Sequence, residues 1–314
     1  LTIVIWPPVE AEWVAAIRKA AGDTEVVAPA DEDAARAAAP HAGGWIGRLN
    51  PDLLERAPRL RWLQTPTISL EHIVFPDLVQ SDVTVTNMRN IYNDHIANHV
   101  CALFLALCRD LPRLTRQQGR HEWNKETVRV RDPGEMTLLI LGLGGIGAEA
   151  SRRLAVFGPA IIGVDPKVTA PPPGVSELAL PDALPDLLPR ADAVIICAPQ
   201  TPETTGLFNA ALFERMKPGA LFVNIGRGAI VRLDALVSAL QSGRVGGAAL
   251  DVYEIEPLPA DHPLWAMENV LLTPHSADLG PHTRERQLAV VLENTRRFVA
   301  GQPLATVADK TRWY

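Results

Sequence analysis

At 314 residues the chain is long enough to bury two cores rather than one. Its 47% hydrophobic and 21% charged residues fit a globular protein. The formal charge of −6 leaves no basic footprint for nucleic acid or an anionic membrane, although one arginine can still attract an anionic substrate locally. The three cysteines cannot all pair with one another and none has metal-type spacing, so they read as free, buried thiols with no metal site. No apolar stretch reaches the roughly 20 residues that span a bilayer. The run Leu1–Pro7 carries no basic segment before it, which places the expected location in the cytoplasm.

The first ninety residues alternate short strands with helices. Thr2–Trp6 reads as a strand and Glu10–Ala21 as a helix; Glu25–Ala28, Gly44–Ile46, Leu60–Gln64 and Val83–Thr86 read as further strands. No glycine-rich nucleotide turn occurs in this part. A long helix is expected next, with Asp94 as its N-cap and Ile96, Val100, Leu103, Phe104 and Leu107 at helical spacing. Pro112 should interrupt it, and the polar continuation to Trp123 reads as an arm across a neighbouring surface.

From Met136 onward the pattern is βαβ: strands at Thr137–Leu141, Ile161–Val164, Ala193–Cys197, Ala220–Ile225, Gly247–Leu250 and Val270–Leu272, with helices between them. The expected fold is α/β, a doubly wound parallel-sheet (Rossmann) nucleotide domain beside a smaller flavodoxin-like domain. The expected division is residues 1–93 as the first part of a substrate domain, 94–280 as the dinucleotide domain with its arm, and 281–314 as a C-terminal helix returning to the substrate domain.

Gly142-Leu143-Gly144-Gly145-Ile146-Gly147 fits G-x-G-x-x-G, follows an apolar strand, opens a helix, and has Asp165 about twenty residues on. Gly142 permits the tight turn, Gly144 lets the backbone approach a pyrophosphate, and Gly147 allows close packing of helix and sheet. Asp165 should accept hydrogen bonds from the adenosine ribose and repel a 2′-phosphate. NAD is therefore expected over NADP, with Lys167 close by as a countervailing charge.

Three further segments lie at strand exits, where open α/β sheets bind ligands. Arg227, flanked by glycines in Asn224–Gly228, offers a planar cationic fork suited to a carboxylate. Asp251–Pro259 follows the next strand. Thr273–Ala277 follows the last, and His275 is the one histidine directly after a core strand of the nucleotide domain. Reduction of a 2-oxo acid needs hydride at the carbonyl carbon, a proton at its oxygen and a cation on the carboxylate. His275 can supply the proton, and a carboxylate such as Glu256, hydrogen-bonded to the imidazole, would favour its charged form.

Taken together, LGLGGIG, VD, CAPQTPET, NIGRG, ALDVYEIEPLP and TPHSA, in this order, resemble the NAD-dependent D-2-hydroxyacid dehydrogenases along nearly the whole chain. The resemblance implies reversible hydride transfer between NAD(H) and a 2-oxo acid. It implies Arg227 as the substrate clamp, Glu256 as partner of His275, and His275 as acid and base. It also implies cofactor contacts at Gly145, Ile146, Pro199, Thr204, Ile225, Gly226 and Asp251, with Asp251 facing the carboxamide, and a homodimer. Substrate contacts are implied at the backbone N–H groups of Ile68 and Ser69, although Ser69 stands where glycine is common. A second departure is Ala97-Asn98-His99 in place of Ala-Glu-His; His99 reads as helix packing ahead of a cleft residue. Arg48 is a lesser candidate for a substrate side group. Glu256 stands where related formate dehydrogenases have glutamine, and the regulatory extension of the phosphoglycerate enzymes is not expected. The non-enzymatic alternative is an NAD(H)-sensing protein like the corepressors that share the fold.

Overall fold

The computed structural model describes residues 1–312. Parallel strands β1 (Thr2–Trp6), β2 (Glu25–Val27), β3 (Ala42–Gly47), β4 (Trp62–Gln64) and β5 (Thr84–Thr86) form one sheet in the order β2-β1-β3-β4-β5. That order is the flavodoxin-type winding. Helices α1 (Ala11–Ala21), α2 (Glu32–Ala38), α3 (Pro51–Glu55) and α4 (Pro76–Gln80) connect the strands. Their ends follow local chemistry. The Asp31 and Asn50 side chains accept from the N–H groups of Ala34 and Leu53, and α1 buries Val14, Ile17 and Ala21 at helical spacing.

The chain then enters a second compact unit, Tyr92–Gly280. It opens with α5 (Asn93–Cys108) and α6 (Leu111–Gly119). The helix begins one residue before Asp94, behind Tyr92, and no side chain caps it. Asp94 is therefore not the N-cap. The break expected at Pro112 falls just before it: Asp110 takes φ +53° and Pro112 sits in the first turn of α6, where its missing N–H costs nothing.

Strands β6 (Thr137–Leu141), β7 (Ala160–Val164), β8 (Glu177–Ala179), β9 (Ala193–Ile196), β10 (Ala220–Asn224), β11 (Val245–Leu250) and β12 (Val270–Leu272) make a seven-stranded parallel sheet. Its order is β12-β11-β10-β9-β6-β7-β8. The order reverses at β6, so a crevice opens between the exits of β6 and β9. Helices α7 (Gly145–Leu154), α8 (Leu184–Leu187), α9 (Ala210–Arg215) and α10 (Leu233–Gln241) complete the winding. The edge strand β8 is absent from the sequence reading because its three residues are all only half-buried and show no apolar alternation.

From Pro281 the chain rejoins the first unit, where α11 (Thr283–Val299) packs on the five-stranded sheet. Asn294, fully buried, donates from Nδ2 to Gln64 Oε1 at 2.8 Å and accepts from the Ala305 N–H at 2.8 Å. Phe298 lies 5.0 Å from the Trp62 ring.

Cys101, Cys108 and Cys197 are free; burial pushes the Cys108 thiol up to about 11 and the Cys197 thiol up to about 12. Among the described residues no helix is long and apolar enough to cross a membrane.

One side of the seven-stranded sheet is filled by Phe208, Phe213 and Phe222, whose ring centroids lie 5.2–5.7 Å apart. Phe222 is fully buried in the strand that leads to Arg227. Phe222→Ala should therefore cost about 3–5 kcal/mol, read as a fall in the urea midpoint of the unfolding transition; an unchanged midpoint would contradict this packing.

Candidate active site

The glycine turn is shaped by contact as well as by φ. Gly142 takes φ +90°, and a Cβ there would lie 2.7 Å from the Ala198 backbone. At Gly147 a Cβ would fall 1.9 Å from the Gly142 carbonyl oxygen, so any side chain would lift α7 off the turn. Gly144 faces open space and precedes α7 without a side-chain cap, leaving the first-turn N–H groups of a ten-residue helix free for an anion. This arrangement fits a dinucleotide pyrophosphate. Asn93, which the sequence reading missed, lays its amide against Gly145, 2.4 Å from where a Cβ would stand.

Asp165 follows β7 and is 9% exposed. Its Oδ2 accepts from the Leu143 N–H at 2.8 Å, and Oδ1 accepts from the N–H groups of Lys167 and Val168 at 2.8 and 3.0 Å. The carboxylate thus ties the glycine turn to the second strand exit. After β9, Thr204 Oγ1 donates to the Pro199 carbonyl at 2.9 Å and accepts from the Thr201 N–H at 2.8 Å, closing the loop that borders the crevice.

The next three strand exits are neighbours in the sheet, so the outer two stand about 10 Å apart. At the exit of β10, buried Asn224 accepts from the Gly226 N–H at 3.0 Å and donates to the Arg227 carbonyl at 3.2 Å. Buried Ile225 lies inside this turn. Gly226 and Gly228 are pressed against the backbones of Ala198 and Tyr253, with added Cβ atoms only 2.5 and 1.8 Å away. No side chain fits on either flank, and Arg227 stands between them, half-buried, with Nη1 donating to the Gly226 carbonyl at 2.6 Å.

At the exit of β11, Asp251 is 1% exposed. Its Oδ1 accepts from Thr273 Oγ1 at 2.6 Å and from the Ser276 N–H at 2.9 Å, and Oδ2 accepts from the Ala277 N–H at 3.0 Å. Burial alone would push this carboxyl up; the hydrogen bonds from His99, Thr273, Ser276 and Ala277 together outweigh it and hold the group below the ordinary carboxylate range. The Asp251 carbonyl also accepts from the His275 N–H at 2.9 Å. Asp251 therefore grips three consecutive residues of the loop after β12. Tyr253 adds a further tie, donating from its hydroxyl to the carbonyls of Leu250 and Thr273.

His275 takes φ +49°, a left-handed conformation uncommon for a side-chain-bearing residue and one that this grip holds in place. Its Nδ1 lies 2.7 Å from Glu256 Oε2. A carboxylate only accepts, so Nδ1 carries the hydrogen and Nε2 is turned away from the pair. Glu256 Oε1 accepts from the Tyr253 N–H at 2.9 Å, which leaves that carboxylate little freedom to rotate. The imidazole remains 46% exposed, so a small molecule can reach it.

Ile68 and Ser69 lie in the other unit, in the bend after β4. The Met88 N–H donates to the Thr67 carbonyl at 3.0 Å, Asn87 Nδ2 to the Ile68 carbonyl at 2.6 Å, and Thr67 Oγ1 to the Ser69 carbonyl at 2.8 Å. The loop carbonyls are engaged by the protein, while the N–H groups of Ile68 and Ser69 donate to no other described residue. Serine in place of glycine does not prevent this arrangement. Arg48 is exposed. Asn98 accepts from Arg153 of α7, whereas His99 reaches Asp251 and Thr273. Among the described residues no cluster of three or more His, Cys, Asp or Glu is placed to hold a metal ion.

Residues 101–277 match the family model for the NAD binding domain of the D-isomer specific 2-hydroxyacid dehydrogenases. The chain belongs to this family. Its members are NAD(P)-dependent oxidoreductases. The chain is 30% identical to a glyoxylate reductase of Thermofilum pendens, over 84% of this chain and 79% of the relative. It is 31% identical to a D-3-phosphoglycerate dehydrogenase of Mycobacterium bovis over 87% of its own length, but spans only 52% of that relative. Among solved structures, the family member from Xanthobacter autotrophicus Py2, in complex with NADPH and MES, superposes with a TM-score of 0.83. It is 30% identical, with 100% of this chain and 99% of that one covered.

Within this dehydrogenase the tightest contact of the glycine turn is the one at Gly147. Gly147→Ala should weaken NADH binding by tenfold or more in a fluorescence titration while the protein stays folded; undiminished affinity would show that the turn tolerates displacement of α7.

Proposed function

We propose that the chain interconverts a 2-oxo acid and the corresponding D-2-hydroxy acid with NAD(H). The observation that carries this reading is the His275–Glu256 pair at 2.7 Å, on the exits of the two strands that follow, in the sheet, the one that presents Arg227. When bound, the dihydronicotinamide supplies the hydride that reaches the carbonyl carbon. Arg227 meets the substrate carboxylate with its planar fork and orients the carbonyl. In the first unit, the N–H groups of Ile68 and Ser69 are the candidate contacts for an anionic substrate group. As the C=O π electrons move onto oxygen, His275 releases its Nε2 proton to that oxygen and Glu256 stabilises the charged ring before transfer. In the reverse direction neutral His275 takes the alcohol proton through Nε2.

Cofactor contacts are assigned to Gly142, Gly144, Gly145, Ile146 and Gly147 at the pyrophosphate, Asp165 at the adenosine ribose, Pro199, Thr204, Ile225 and Gly226 along the crevice, and Asp251 near the carboxamide. Three backbone N–H groups occupy the Asp165 oxygens, two on Oδ1 and one on Oδ2, and the remaining lone pair on Oδ2 is available to a ribose hydroxyl. A 2′-phosphate would add charge beside this carboxylate, which favours NAD over NADP, although the Xanthobacter relative holds NADPH. A homodimer is part of this reading, supported by the polar run after α6 where the Trp123 indole is fully exposed.

The test is oxidation of NADH and of NADPH against glyoxylate, hydroxypyruvate, pyruvate and bulkier 2-oxo acids, with wild type and His275→Ala. Wild type should turn over at least one acid faster with NADH. His275→Ala should lose roughly 10²–10⁴-fold in kcat with NADH affinity nearly intact. NADH binding without turnover of any acid would favour the sensor alternative, and full activity in the variant would remove His275 from the mechanism.

A further inference from the structure

The helix α5 carries two histidines one turn apart, and both meet the loop that bears His275. The His95 ring lies against Gly280, where a Cβ would come within 2.5 Å of it, and its Nε2 is buried with no hydrogen-bond partner among the described residues. His99 Nε2 lies 3.1 Å from Thr273 Oγ1 and 3.5 Å from Asp251 Oδ1. The Thr273 hydroxyl has one proton, and at 2.6 Å from Asp251 Oδ1 that proton is committed to the carboxylate. Thr273 Oγ1 can therefore only accept from His99, which fixes the His99 hydrogen on Nε2 and makes the imidazole a donor to both oxygens.

We propose that His99 is a positioning residue for the reaction: by donating to Thr273 and Asp251 it holds the Asp251 carboxylate at the angle that grips Ser276 and Ala277, and thereby holds His275 in its left-handed turn. The chain of contacts is continuous. Asp251 accepts the two N–H groups just after His275 through its side chain and that of His275 itself through its carbonyl. His99 reaches Oδ1 of this carboxylate from an element distant in sequence. Removing the donor leaves a buried carboxylate one partner short, and the loop becomes the easiest part to rearrange. Among the described residues no hydrogen bond or ion pair joins His99 to Arg227 or the glycine turn, so substrate capture and cofactor affinity should survive its loss better than turnover does.

This inference rests on the reading of His275 as the proton donor, so its test needs a readout independent of activity. In the full chain, His99→Phe keeps a flat ring without a donor, and His99→Gln restores an amide N–H at similar reach. Hydrogen–deuterium exchange across Thr273–Gly280 should accelerate at least tenfold in His99→Phe and return close to wild type in His99→Gln. With a 2-oxo acid that wild type reduces, His99→Phe should lose tenfold or more in kcat with KM changed less than about threefold, and His99→Gln should recover most of it. Unchanged exchange in His99→Phe, or equal acceleration in both variants accompanied by an equal fall in Tm, would overturn the proposal in favour of simple helix packing. If wild type binds NADH but reduces no acid, the reaction assigned above fails, and the exchange comparison alone decides the role of His99.

Discussion

The proposed chemistry depends on one contact, the 2.7 Å hydrogen bond between His275 Nδ1 and Glu256 Oε2. It fixes which ring nitrogen carries the hydrogen toward the protein and which is offered to a substrate. Neither partner holds itself in place. Glu256 is steadied by the Tyr253 N–H, and His275 sits in a left-handed conformation that its own backbone does not favour. The cost of that conformation is offset by Asp251, a nearly inaccessible carboxylate that accepts from the two N–H groups following His275 and from the Thr273 hydroxyl. An ionised group is expensive to bury unless it is fully hydrogen-bonded, and here the satisfaction of that charge and the placement of the loop that bears His275 are one arrangement.

The sheet explains why these groups meet. Parallel winding brings the exits of β10, β11 and β12 side by side, so the loops that carry residues 227, 251 and 275 leave adjacent strands although they are far apart along the chain. The same winding reverses direction at β6, and the glycine turn with Asp165 lies there. The glycine turn and His275 thus follow the same ends of the strands of one sheet, and Phe222 of its aromatic cluster with Phe208 and Phe213 lies in the strand that leads to Arg227.

Much of this was legible in the residues. Alternation of apolar strands with helical spacing predicts both parallel sheets, and the glycine spacing with Asp165 predicts the tight turn that opens α7. Arg227, Glu256 and His275 stand out because each follows a core strand. What escaped the sequence is tertiary. Strand β8 is short and half-exposed, so hydrophobic periodicity does not mark it. Asp94 has the chemistry of an N-cap, yet the helix starts before it and its cap position falls to Tyr92. His99 reads as a packing residue on an apolar helix because its partners, Thr273 and Asp251, lie more than 150 residues away. Asn93 gives no local sign that its amide will rest on Gly145.

The most direct test of the Glu256–His275 contact is kcat for 2-oxo acid reduction in wild type and Glu256→Gln, with NADH affinity measured alongside. An amide of the same shape can still meet Nδ1 but carries no charge to stabilise a protonated ring. The variant should lose tenfold or more in kcat with NADH affinity nearly intact. An unchanged kcat would contradict the contact as the support of the proposed proton donor.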